Sequence, residues 1–374
     1  MNLSNQIIME RIENVFKNIQ SSRTVEAVLI YNRDSLDKNF LYMTGLDTGV
    51  FENCGLLCEQ NGKMYIFATT LEEEILKSLE EYVEMVIYKD KHERDDKLKS
   101  TLSNYKTIGI SFDSISHSLY LHLKELLGNT QLVDIGNAFQ NARMIKSRDE
   151  IVKIQKACDI ASTVADDFPN YIKRGVTELD LCLEIDYQVR RRGAQAAAFQ
   201  TIVAFGANAS KPHYSGANVP LREGDVVLID FGATYSGYVS DISRTYLTGK
   251  PGDDVLKLYS TVLKAQEIAL GMIGNGVQVD KVEKAVRRFI DNHESFRGRF
   301  IHSLGHSIGL EVHDNSYPQE DFKKTFVENM VLTVEPGIYL PGLGGVRIED
   351  DIVVEKESCL ILTTASKEAV IYEV

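Results

Sequence analysis

Short apolar runs alternate with amphipathic stretches through the first third of the chain. Glu26–Tyr31, Cys54–Gln60, Lys63–Ala68, Glu84–Lys89, Thr107–Phe112 and Gln131–Ile135 read as strands, and Leu119–Leu127 as a helix with one apolar face. Asn61-Gly62, between two of these strands, predicts a hairpin turn that wants positive φ. Ser147-Arg148-Asp149-Glu150 is a capping-box pattern that opens a long helix running to about Asp166. All seven prolines lie beyond it. Residues 1–140 are therefore expected to form one α/β domain and residues 141–374 a second.

The second part carries a weak internal repeat. Gly175-Val176 precedes a helix capped by Thr177 and ending near Gly193, and Gly276-Val277 precedes another that ends near His293, an offset of 101. The apolar strand with Asp230 has a counterpart with Glu335 at an offset of 105, and His213 and His313 differ by 100. Two copies of a helix-helix-hairpin unit facing each other across a pseudo-two-fold axis would explain this spacing.

Both predicted hairpins carry acids. Asp225–Gly232 reads as a buried strand and Tyr238–Tyr246 as its return after a Ser236-Gly237 turn. Asp230 and Asp241 are equidistant from a midpoint between Tyr235 and Ser236, so without a bulge they should oppose each other about 5 Å apart, where like charges repel. In the second hairpin Glu335 and Glu349 are equidistant from Gly342. Four carboxylates in one place call for positive charge, and two divalent ions would balance them. Oxygen-rich ligation favours Mn²⁺ or Co²⁺, with Zn²⁺ a third candidate. Between the hairpins lie His302, His306 and His313. His302 and His306 have i, i+4 spacing, but Ser303 stands where the H-E-x-x-H pattern needs Glu, and Gly305 and Gly309 disfavour a helix. Asp230-Phe231-Gly232 matches the kinase metal motif without a kinase Gly-rich loop or catalytic loop around it. Arg347 is expected either to pair with Glu349 or to face a substrate.

Composition excludes several classes. Hydrophobic residues are 44% and charged residues 25% of 374, the balance of a globular protein. With 41 Lys and Arg against 54 Asp and Glu, the net charge of −13 makes nucleic acid an improbable partner. No apolar run reaches the roughly 18 residues of a membrane span, and Met1–Lys17 lacks a signal-peptide pattern, so a cytoplasmic location without membrane attachment is expected. The five cysteines show no C-x-x-C pair, and Cys54 and Cys58 read as buried thiols on one side of a strand.

These motifs resemble the pita-bread metallopeptidases, in the branch of Xaa-Pro dipeptidase (prolidase) and Xaa-Pro aminopeptidase. The resemblance runs from about Arg143 to the C-terminus. It is carried by Asp230 in Ile-Asp-Phe-Gly, Asp241 in Ser-Asp-Ile-Ser-Arg-Thr, His306 in His-Ser-Leu-Gly-His, Glu335 in Thr-Val-Glu-Pro-Gly and Glu349 in Val-Arg-Ile-Glu-Asp. Residues 1–140 resemble the creatinase-type N-terminal domain, through their layout and Tyr42-Met43-Thr44-Gly45. Ala198 departs from the pattern at a position where the family commonly has Ser.

The resemblance implies an α/β (α+β) chain in which a creatinase-like domain precedes a pita-bread domain. It implies two metal ions bridged by Asp241 and Glu349, with Asp230 completing one shell and His306 and Glu335 the other. It further implies catalytic roles for Glu335, His313 and His213, and a substrate pocket of His213, His302, His313, Tyr339 and Arg347. The expected reaction is hydrolysis of the bond before proline in short peptides by metal-activated water, in a homodimer, with the dipeptidase slightly favoured over the aminopeptidase. A methionine-type aminopeptidase and a non-catalytic metal-binding module are the alternatives from other classes.

Overall fold

The computed structural model describes residues 4–314 and 325–373. The backbone divides into two compact units, with the division between Arg143 and Met144.

In the first unit the elements follow the order α1 (Asn5–Lys17), β1 (Ala27–Tyr31), α2 (Lys38–Thr44), β2 (Gly55–Glu59), β3 (Met64–Thr69), α3 (Glu73–Leu76), β4 (Glu84–Tyr88), α4 (Lys91–Leu102), β5 (Thr107–Ile110), α5 (His117–Leu127), β6 (Gln131–Asp134) and α6 (Gly136–Met144). All six predicted strands form and join one sheet in the order β4-β3-β2-β1-β5-β6. The β2–β3 pair is the predicted antiparallel hairpin, and Gly62 takes the positive φ its turn demands. Leu29, Leu57, Phe67 and Ile108 pack from the sheet against Leu98, Leu102 and Leu123 of α4 and α5. Cys54 and Cys58 are buried, but Cys54 precedes β2.

The second unit opens with α7 (Arg148–Asp167), whose Ser147–Glu150 capping box has both of its reciprocal bonds. It continues through α8 (Glu178–Arg191), β7 (Ala196–Ala197), β8 (Ile202–Phe205), β9 (Val226–Phe231), β10 (Ala233–Tyr235), β11 (Tyr238–Val239) and β12 (Ile242–Thr248). Then follow α9 (Asp253–Leu270), α10 (Val279–Asp291), β13 (Val331–Val334), β14 (Gly337–Leu340), β15 (Gly344–Arg347), β16 (Asp350–Val354), β17 (Cys359–Ile361) and β18 (Ile371–Tyr372). Strand β9 is buried on both faces, and its alternation divides it between two cores. Val227, Ile229 and Phe231 pack with Leu181, Ile185 and Val189 of α8, whereas Val226 and Leu228 pack with Val262, Val282 and Val286 of α9 and α10.

The repeat is visible in the backbone. Thr177, which caps α8, bridges Pro220, and Gln278, at the same position before α10, bridges Thr325. Gly175 and Gly276 share a φ of +81°. Each copy thus sets a helix pair ahead of an antiparallel hairpin. Among the described residues, no helix is long and apolar enough to cross a membrane.

Candidate metal centre and active-site cavity

The two hairpins differ in register. Tyr235 pairs with Tyr238 across a two-residue turn, Ser236 (φ +47°) and Gly237 (φ +78°), the positive-φ geometry of a type I′ turn. This moves the midpoint between Ser236 and Gly237, so Asp230 opposes Ser243 rather than Asp241. The expectation of directly opposed aspartates is corrected. Asp241 lies two residues from Ser243 and therefore on the same face, diagonal to Asp230. In the second hairpin the β14–β15 and β13–β16 ladders share one register about Gly342, and Glu335 and Glu349 fall in the gap between them.

No helix carries His302, His306 or His313. Residues 304–308 run beside β13: Glu335 N donates to Leu304 O (2.8 Å), Thr333 N to His306 O (2.8 Å) and Ile308 N to Val331 O (3.1 Å). Gly305 is required here, because a Cβ would stand 2.0 Å from Thr333 O. His306 Nε2 consequently lies 3.6 Å from Asp241 Oδ2 and 3.5 Å from Glu335 Oε1. The His313 ring lies 4.3 Å from that of His306, centroid to centroid, tilted by 50°.

One cavity of about 540 Å³ gathers the predicted residues. Asp230, Asp241, Glu335, Glu349, His213, His302, His306, His313 and Arg347 all line it, with Phe199, Ile202, Pro212, Ser303 and Val312. Tyr339 stands behind this wall, accepting from Arg347 Nη1 (2.8 Å) and lying 2.9 Å from His302 Nε2. Arg347 has an ionic partner other than the one expected. Its Nη2 donates to Asp230 (2.5 Å) and its Nε to Ser243 Oγ (2.8 Å), so its ion pair is with Asp230 rather than Glu349. Ser243 in turn donates to Glu349 Oε2 (2.7 Å).

Beneath the cavity Asp351 Oδ2 accepts from Asp241 N (2.8 Å) and from the Cys158 thiol (3.2 Å). Pro212 and Ser243 escaped sequence reasoning, as did the Asp351–Cys158 floor. Ser243 alone had a usable signal, since counting Ser236-Gly237 as a two-residue turn sets it opposite Asp230.

Electrostatics identify what the site lacks. Burial and then the mutual repulsion of the acids push Asp241 and Glu349 well above the usual carboxylate range. Burial raises Glu335 to about 8 against the opposing pull of Arg347. Burial, with Arg347 beside His302 and the His313 imidazole beside His306, lowers both to about 4, leaving neutral imidazoles near pH 7. Arg347 is the exception, because Tyr339 and the acids outweigh burial and hold it protonated. One buried oxygen on each of Asp230, Asp241 and Glu349 has no hydrogen-bond donor. Asp241, His306 and Glu349 each offer a ligand atom within 4.8 Å of the others. Unsatisfied carboxylate oxygens beside a neutral imidazole are the donor set of a divalent ion, so these residues fit the implied metals.

Comparison with known proteins agrees. Residues 152–356 match the model of metallopeptidase family M24, and residues 11–145 match that of the creatinase/prolidase N-terminal domain. The chain is 31% identical over 370 residues to an Xaa-Pro dipeptidase of Pyrococcus horikoshii, covering 99% of this chain and 100% of the relative. Among solved structures, an Xaa-Pro dipeptidase from Bacillus anthracis is 28% identical with a TM-score of 0.88, covering 98% of this chain and 100% of that one. An X-Pro aminopeptidase from Thermotoga maritima is 32% identical with a TM-score of 0.85, covering 97% and 99%. With half of its length in the family model and its acids and histidines gathered in one cavity, the chain belongs to metallopeptidase family M24, as a metallo-exopeptidase of the Xaa-Pro dipeptidase and aminopeptidase branch.

Proposed function

We propose that the protein hydrolyses the bond before proline at the N-terminus of short peptides, and that it acts foremost as an Xaa-Pro dipeptidase. The observation that carries this reading is the lining of the cavity, where carboxylates and His306 share the wall with Arg347, His213 and His302, and with the apolar Phe199, Ile202 and Pro212. A substrate with an ammonium group, a pyrrolidine ring and a carboxylate complements such a lining in charge and polarity, and the volume is ordinary for a small-molecule site.

Asp230, Asp241, His306, Glu335 and Glu349 would hold two divalent ions, Mn²⁺ or Co²⁺, which supply a water of lowered pKa and polarisation of the scissile carbonyl. Glu335 accepts a proton and returns it to the departing imino nitrogen. His313, packed beside His306, donates to the oxyanion as it forms. His213, His302 and Arg347 hold the prolyl end, and Tyr339, fixed between His302 and Arg347, orients both. The family resemblance supports a homodimer, which light scattering of the purified protein would test.

Likeness to the Thermotoga maritima X-Pro aminopeptidase supports a second reading, in which longer peptides enter. The Mn²⁺-loaded protein should cleave Met-Pro in preference to Met-Pro-Ala. Preference for the tripeptide would favour the aminopeptidase, and cleavage of neither by the metal-loaded protein would remove both readings.

A further inference from the structure

Glu178 is the first residue of α8 and is fully buried. An ionisable side chain in that position needs partners. Its carboxylate accepts four hydrogen bonds, all from residues 205–217, the end of β8 and the loop that follows it. Oε1 accepts from Phe205 N (2.8 Å) and Asn208 Nδ2 (3.0 Å), and Oε2 from Tyr214 OH (2.8 Å) and Ala217 N (3.1 Å). These donors lie on both sides of Pro212-His213, the two residues of the loop that line the cavity. Tyr214 and Asn208 are also bonded to each other (2.9 Å), which closes the loop on the carboxylate. Burial and Glu178 push the Tyr214 hydroxyl up to about 12, so it keeps the proton that it donates.

The internal repeat supplies a control. Thr177 and Gln278 are equivalent positions before α8 and α10, and the residue after Gln278 is Val279. The second copy forms its helix and its bridge from Gln278 to Thr325 with an apolar residue in this place. An acid at this position is therefore not a requirement of the repeated fold.

We propose that Glu178 is a positioning residue, which clamps the 205–217 loop so that His213 meets the prolyl end of the substrate at a fixed place. The inference rests on the reading of His213 as a residue that holds that end.

Steady-state kinetics on Met-Pro, with metal content measured on the same Mn²⁺-loaded samples, test it. Glu178→Gln keeps the shape but replaces an acceptor oxygen by a donor, so KM should rise about tenfold while kcat stays within about twofold. Metal content should equal that of the unsubstituted protein. Glu178→Gln added to His213→Ala should raise KM no further than His213→Ala alone, because the clamp then has nothing to position. Tyr214→Phe removes one of the four bonds and spares the backbone amides, so a smaller rise of about threefold is expected even if Glu178→Gln does not fold. An unchanged KM in Glu178→Gln, or in Tyr214→Phe where Glu178→Gln does not fold, would overturn the proposal. So would a loss of metal or effects additive with His213→Ala. If His213→Ala itself leaves KM unchanged, the reading of His213 fails first; if it raises KM while Glu178→Gln does not, only the clamp fails.

Discussion

The first hairpin of the second unit keeps Asp230 inside a continuous β9–β12 ladder, whereas the second hairpin holds both of its acids in a gap between two ladders. Several partners of these acids come from the opposite copy of the repeat. Arg347 of the second hairpin binds Asp230 of the first, Ser243 of the first donates to Glu349 of the second, and Asp351 of the second accepts the Asp241 amide. Glu349 N also donates to Ser243 O (3.1 Å). Each half thus draws part of the neutralisation and orientation of its carboxylates from the other. The repeat therefore explains the fold twice over, but the chemistry exists only where the copies interlock.

The largest effect expected from breaking this arrangement is at Glu335. Glu335→Gln should lower kcat about 10²–10⁴-fold with unchanged circular dichroism, and near-normal turnover would remove its assigned proton transfer.

A comparable free energy, read in stability, is expected at the support of the histidine strand. Lys146 and Asp314 are buried 3.3 Å apart, and Lys146 also reaches Ser307 Oγ (3.2 Å). Lys146→Ala should destabilise the second unit by about 3–5 kcal/mol, because it removes a buried cation that lies 3.3 Å from the Asp314 carboxylate. Denaturant midpoints at constant slope would measure this.

Ser243→Ala tests the interlock itself. It removes the hydroxyl between Arg347 and Glu349 and should weaken Mn²⁺ binding about 10–100-fold, as loss of an outer-shell partner does. Titration calorimetry would read it, and unchanged affinity would mean that the halves do not depend on each other for their acids.

The smallest effect is one of pH. Glu335 and Asp351 titrate at about 8 in the folded protein, and Asp241 and Glu349 are also raised, all chiefly by burial. Between about pH 4.5 and 8 the metal-free native state holds protons that the unfolded chain has released, so its stability should fall as pH rises through this window. Added Mn²⁺ replaces the protons on Asp241, Glu335 and Glu349, and the gain in melting temperature on metal addition should grow from pH 6 to 8. A gain independent of pH would contradict the raised carboxylates.

The elements that local sequence controls were legible. The strands of the first sheet, the capping box at Ser147, the cap at Thr177, and the Gly342-centred register of the second hairpin follow from periodicity and turn chemistry. The first hairpin was misread by one residue, since its midpoint depends on a type I′ turn at Ser236-Gly237. What sequence could not show is long-range. Arg347 meets Asp230 across 117 positions, and Asp351 reaches Cys158 across 193. Such contacts depend on how two hairpins pack, and no spacing along the chain records it.

The most direct test is the Mn²⁺ content of the purified protein, by elemental analysis with electron paramagnetic resonance to detect coupling between neighbouring ions. Two coupled ions per chain are expected, falling below two in Asp241→Asn from the first hairpin and in Glu349→Gln from the second. Saturation at a single ion, or full occupancy in both variants, would contradict one centre built jointly by the two halves.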